Sequence, residues 1–166
     1  MSLPAYLFLY DENGMMLKGS SLALGREGAI EVMSSSYGVG QPIDSHTGRI
    51  HGCRQHEAFV IHKELDKLSP LLAVYVCEAK RLQKAVVRYY EINHAGVERE
   101  IYRITMEGVA IMSVNASHTY IPGSNSHNMI ETVSLRFNSI EWHYLEGMIK
   151  YGDSWSKSGQ QSQRNG

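Results

Sequence analysis

Lys63-Glu64-Leu65-Asp66-Lys67-Leu68-Ser69-Pro70-Leu71-Leu72 marks a single helix start in a chain whose other periodic segments read as strands. Ser69 is placed to cap the orphan N–H groups of the first turn, and Pro70 sits where a missing N–H costs nothing. Leu71, Leu72, Tyr75, Val76 and Ala79 then recur at helical spacing, which predicts an apolar stripe over residues 69–80. One short helix laid on a β body restricts the architectures open to the chain.

The strands are read outward from that junction. Ala5-Tyr6-Leu7-Phe8-Leu9-Tyr10 leads into Asp11-Glu12-Asn13-Gly14, where Asn-Gly favours a tight hairpin, so residues 15–18 are expected to pair back. Residues 20–28 form a connection broken by Gly25 and Gly28, and a second strand from Ala29 to Met33 runs into Ser34-Ser35-Ser36. Residues 56–63 return to strand, with Phe59 and Ile61 opposed to Val60. Residues 84–93 are apolar on both faces, which implies one face in the core and the other covered. A hairpin loop at 93–96 leads to a strand over 97–114, then a loop over 117–127 and a last strand over 129–144.

Two of these strands change parity. Tyr102, Ile104 and Met106 share a face up to Gly108, after which Val109 and Ile111 take the other; Val133, Leu135 and Phe137 give way to Ile140 and Trp142. A switch at glycine is what a bulge or a barrel corner produces. The pattern predicts a mainly β domain over residues 1–155: a strongly bent antiparallel sheet, or two sheets closed towards a small β-barrel, with one flanking α-helix. Residues 156–166 are polar throughout and are expected to be a disordered tail.

The chain has 166 residues, 43% of them hydrophobic, enough for one core. Sixteen basic residues against seventeen acidic ones leave a net charge of −1, which argues against nucleic acid as a partner and against a polybasic membrane anchor. Cys53 and Cys77 are too few for a disulfide framework and are expected to be reduced thiols. No stretch approaches the roughly 20 apolar residues of a membrane span, and no signal peptide is evident. The expectation is a protein made in the cytosol that, if it leaves the cell, does so without cleavage of a leader.

Residues able to carry chemistry are sparse. His46, His51, His56 and His62 fall in one stretch, but His56 and His62 are about 20 Å apart along an extended strand, and the other two lie in a loop. Cys53 lacks the surroundings of an activated thiolate, Gly38-Val39-Gly40 lacks the remainder of a dinucleotide fingerprint, and no nucleophile elbow occurs. The reading is therefore no catalytic, cofactor-binding or metal site. Its competitor is a small β-barrel enzyme using metal or thiol chemistry from the His- and Cys-containing region 46–62. Tyrosines are more suggestive: Tyr89, Tyr90, Tyr102, Tyr120 and Tyr144 lie on strands or their ends, as residues at core edges or subunit interfaces do.

Tyr37-Gly38-Val39-Gly40-Gln41-Pro42-Ile43-Asp44-Ser45-His46-Thr47-Gly48-Arg49-Ile50-His51-Gly52 is unlike the rest, with little periodicity and many breakers. A segment of this length without structure of its own is uncommon in a compact domain and points to a functional loop that leans on something outside.

At the level of motifs the chain resembles Hcp, the haemolysin-coregulated protein family that forms the inner tube of bacterial type VI secretion systems. The resemblance runs from the N-terminal strand through Ile30-Glu31-Val32 and Tyr37-Gly38. It continues in the junction at Lys63, in Tyr102 and Gly108-Val109-Ala110-Ile111, in Glu131-Thr132-Val133-Ser134-Leu135 and in Ile140-Glu141-Trp142-His143-Tyr144, and ends at Asp153-Ser154-Trp155. It implies two packed antiparallel sheets forming a β-barrel with a helix alongside, and homohexameric rings stacked into a hollow tube. A contractile sheath would drive this tube out, with spike and baseplate as further partners and effector proteins in the lumen. By the same resemblance residues 37–52 reach the neighbouring ring, Ser34, Ser35 and Ser36 fall near the channel wall, and no cofactor, enzymatic activity or fused toxin is expected.

Overall fold

The computed structural model describes residues 3–123 and 129–155; the expected tail at 156–166, and part of the loop expected over 117–127, lie outside the described residues. In chain order the elements are β1 (Ala5–Tyr10), β2 (Met16–Leu17), β3 (Ile30–Val32), β4 (Ser34–Ser36), β5 (Val39–Gly40), β6 (Gln55–His56), β7 (Phe59–Glu64) and α1 (Ser69–Cys77). They continue with β8 (Arg81–Ile92), β9 (Glu98–His118), β10 (Met129–Arg136), β11 (Ser139–Tyr144) and β12 (Ile149–Ser154). Among the described residues the fold is mainly β with one helix, as the patterning predicts.

The barrel is a correction. Ten strands form a single antiparallel sheet along β2-β1-β8-β9-β10-β7-β4, with β3 on β1 and β11–β12 branching from β9; the second sheet is only the two-stranded β5–β6. No sheet is closed. The chain changes partner at Met33, so β3 bonds to β1 and β4 to β7, and no ladder joins the two ends of the path. The bend is nevertheless strong: Leu7, Ile61, Val87, Met106, Leu135 and Ile140, from six different strands, share one core with Leu72 and Tyr75 of α1.

The two parity switches are one feature. On its free side β9 pairs β11 as far as Ser139↔Glu107 and then takes β10 from Arg136↔Ala110, while its register with β8 runs unbroken past Gly108. Gly108 has φ +61°, and a Cβ there would lie 2.4 Å from the Asn138 side-chain nitrogen. Both strands turn over at this crossing. The ladder irregularities fall elsewhere, opposite Ser134/Leu135 and at Tyr89/Tyr90. Strand β12, not expected from the sequence, follows a tight turn through Gly147 and Met148, both at positive φ.

The junction at Lys63 is built differently from the expected cap. Leu68 is the N-cap residue and no side chain caps the helix. The Ser69 hydroxyl instead accepts the Asp66 N–H (3.0 Å) and donates to Glu131 Oε2 (2.9 Å). Lys63 Nζ, on a side chain with no exposure, donates to the Glu64 carbonyl (2.9 Å) and meets Glu131 Oε2 (2.9 Å) and Asp66 Oδ1 (3.0 Å). Lys63 and Glu131 are direct cross-strand partners on the core side of β7 and β10, so an ionic plug closes this end of the core under the start of α1. The helix stops at Cys77, short of Lys80, because Ala79 adopts φ +51° and the N–H groups of Ala79 and Lys80 return to Val76 and Tyr75.

Removing one member of a buried pair strands the other. Lys63→Met is expected to lower unfolding free energy by about 3–5 kcal/mol, with Lys63→Met/Glu131→Leu recovering most of the loss. Urea denaturation of both variants measures this; a Lys63→Met loss below about 1 kcal/mol would show that the plug is not structural.

Candidate interaction arm and polar sheet face

The segment read as structureless is a β-ribbon. Gly38 O accepts the Glu57 N–H, Val39 pairs His56, Gly40 pairs Gln55, and a further bridge joins Ile43 and Ile50. The tip is a turn organised by one carboxylate: Asp44 Oδ1 accepts the N–H groups of His46 (2.7 Å) and Thr47 (3.0 Å), and Asp44 and Arg49 are bonded through the main chain (2.8 Å). Those hydrogen bonds hold the Asp44 carboxyl below its ordinary range. Val39, Ile43 and Ile50 are all exposed on this arm.

The arm is fixed at its base by a latch from the far end of the chain. Arg54 Nε meets Asp153 Oδ2, and Arg54 Nη2 donates to Asp153 Oδ1 (2.6 Å) and to the Ser154 carbonyl (2.7 Å). His56 Nε2 lies 2.8 Å from Asp153 Oδ2, and its Nδ1 lies 2.8 Å from the Tyr37 hydroxyl. An ionised carboxylate only accepts, so Nε2 carries the proton towards Asp153, and Nδ1 of the neutral ring accepts from Tyr37. The His56 ring packs edge-on to Phe137 and Trp155, each at 5.4 Å, and stacks on Trp142.

A Tyr-His-Asp relay has the form of a catalytic triad, but its titration points the other way. Burial, and secondarily the Asp153 charge, push the Tyr37 hydroxyl up to about 12, so it stays protonated as a donor rather than becoming a nucleophile. The remaining histidines of the 46–62 region and Cys53 do not converge: His46 and His51 are on the arm, His62 is on β7, and Cys53 is exposed. Among the described residues no group of three His, Cys, Asp or Glu is arranged to hold a metal.

The three serines divide between two faces. Ser35 turns inward, its hydroxyl 2.8 Å from that of Tyr89, whose ring sits 6.0 Å from Tyr102. Ser34 and Ser36 are exposed on the outer face. There the registers align Ser34, His62, Thr132 and Asn115 in one row and Ser36, Val60, Ser134 and Ser113 in the next. Eight side chains across four strands thus include no Lys, Arg, Asp or Glu. Of the tyrosines singled out, Tyr90 packs on Tyr6 and Arg26, while Tyr120 and Tyr144 are exposed.

Comparison with known proteins decides the family. The profile described as "Type VI secretion system effector, Hcp" matches residues 6–144. The chain belongs to the Hcp family. Among curated proteins it is 27% identical over 139 residues to the "Major exported protein" of Pseudomonas aeruginosa, covering 82% of this chain and 81% of that one. A mutant form of the Hcp1 protein from E. coli EAEC 042 is 36% identical and superposes with a TM-score of 0.85 over 93% of this chain and 99% of that structure. The secreted protein Hcp3 from Pseudomonas aeruginosa shares the fold at 19% identity, with a TM-score of 0.71 over 93% and 99% of the two chains. As an Hcp protein of type VI secretion, the chain is a secretion-system protein of a family with exported members.

Sequence reasoning missed the latch. Arg54 carried no signal in its surroundings, and Asp153 is 97 residues from His56, a separation that no local pattern bridges.

The latch makes an acid prediction. Hydrogen bonds from Arg54, joined by those from His56, hold the Asp153 carboxyl at about 2, against 3.8 for the free group. A depressed carboxylate contributes stability above its unfolded value that is lost as pH falls through its folded value. About 2 kcal/mol should therefore disappear between about pH 4 and pH 2. Asp153→Asn should lose a similar amount at neutral pH and lack that part of the acid limb, read by denaturation followed through Trp155 and Trp142 fluorescence. Parallel acid limbs for the two proteins would contradict the latch.

Proposed function

We propose that this chain is a non-enzymatic tube subunit: copies close into hexameric rings, the rings stack into a hollow tube in the bacterial cytoplasm, and the tube is exported on contraction of a sheath. Spike and baseplate components are its partners at the tube ends, and effector proteins travel in the lumen. The observation that carries this reading is the arm, a preorganised ribbon whose apolar residues Val39, Ile43 and Ile50 are left exposed by the described residues. A projecting ribbon held by a buried latch is suited to a partner outside the domain. Membership of the Hcp family supports another copy of the chain as that partner.

Ring closure needs a head-to-tail contact between unlike surfaces of one chain. Strand β12 suits this role, since among the described residues it pairs only with β11, and the exposed side chains of Ile149 and Tyr151 are available to a neighbour. Ser34 and Ser36, with the uncharged rows around them, suit a channel wall that passes varied cargo without binding it tightly. Ser35 supports that wall from behind through Tyr89.

Deleting residues 44–52 removes the arm tip and leaves the latch. The deleted protein should still give hexamers by size-exclusion with light scattering, while its rings fail to stack under conditions where the full chain does. Undiminished stacking would remove the arm from this role.

A further inference from the structure

At the end of the β4–β7 ladder opposite the arm, a cleft of about 250 Å³ opens between β3, the segment at Ser20 and the turn that precedes α1. Met33 and Leu65 give it an apolar surface, 46% and 50% exposed. Three carboxylates border it: Glu31, Glu64 and Asp66. Asp66 is drawn to Lys63 in the plug, whereas Glu31, on the exposed side of β3, forms no ion pair among the described residues. The cleft is an apolar patch with an acidic rim.

The arm tip has the complementary character. Ile43 and Ile50 stand side by side across their bridge, 59% and 62% exposed. Asp44 stays ionised with its Oδ1 turned to the N–H groups of the turn, while Arg49, which forms no ion pair among the described residues, is the cation the tip presents, with His46 and His51 beside it. The two surfaces lie at opposite ends of the same pair of strands. From Ser36↔Val60 the ladder runs one way into the arm, through Gly38 and Glu57, and the other way to Met33, whose N–H bonds to the His62 carbonyl. The arm therefore leads away from the chain's own cleft. A contact between tip and cleft joins unlike ends of two copies, and such a contact repeats along a line instead of closing on a pair.

We propose that this cleft is the seat for the arm tip of a second copy, with Ile43 and Ile50 covering Met33 and Leu65 and Arg49 meeting Glu31. The assignment rests on the stacking role of the arm and adds the surface that receives it. Because the latch orders the arm before contact, little chain freedom is lost on docking.

The test is charge exchange in the full chain, with ring mass read by light scattering and stacked rings counted by negative-stain electron microscopy. Arg49→Glu and Glu31→Arg should each leave rings intact and lower the stacked fraction by about tenfold or more, and the two together should restore most of it. Met33→Asp should reduce stacking without changing the thermal midpoint by more than a degree or two. Normal stacking by Glu31→Arg or by Met33→Asp would overturn the seat, as would failure of the combined exchange to recover. In those cases the arm keeps its stacking role if Arg49→Glu still fails to stack. Failure of the unmodified chain to form rings would instead contradict the tube reading itself.

Discussion

The salt bridge between Lys63 and Glu131 is the constraint on which the other features depend. Both groups sit on the core side of paired strands, with Asp66 and Ser69 completing the set, so β7, β10 and the entry to α1 are joined at one point. Such a pair is weak evidence for net stability, because desolvation opposes the Coulomb gain, but it penalises any register that separates the partners. A slip of β7 by one residue would put Lys63 on the outer face and leave Glu131 buried alone. Register at this ladder decides everything that β7 presents.

What β7 presents is considerable. Its core side carries Phe59, Ile61 and Lys63; its outer side carries Val60 and His62 into the uncharged face beside Ser34 and Ser36. At one end the strand continues into the arm, where Asp153 forms a second carboxylate–cation lock with Arg54. At the other end it turns into the acidic cleft. One strand, held by ionic contacts at both ends, thus aligns arm, polar face and cleft. The bend at Gly108 and Asn138 brings the C-terminal strand round to supply Asp153.

Much of this was legible in the sequence. Apolar alternation located β7 and β10, where burial on one face imposes a period of two, apolar runs located β1 and β8, and the parity switches located the bend. Closure was not legible: parity shows that a sheet turns over, not whether its last strands pair. The cap at Ser69 was misread because a serine hydroxyl before a helix serves either backbone N–H groups or a buried carboxylate, and only the position of Glu131 decides. The arm looked structureless because its pairing rests on Val39, Ile43 and Ile50 amid glycines and a proline, too few apolar residues to show alternation. Strand β12 escaped notice for a similar reason, having only Ile149 and Tyr151 as strand formers. The motif resemblance points to the family, because its residues are spread along most of the chain.

The most direct measurement of the central claim, that this domain completes itself by joining copies around a hole, is cryo-electron microscopy of the purified full chain. The account predicts annular particles with sixfold symmetry, a central channel lined by Ser34 and Ser36, and the arm directed at the adjoining annulus. A field of single compact particles at high protein concentration, with strand β12 and the arm both facing solvent, would contradict it.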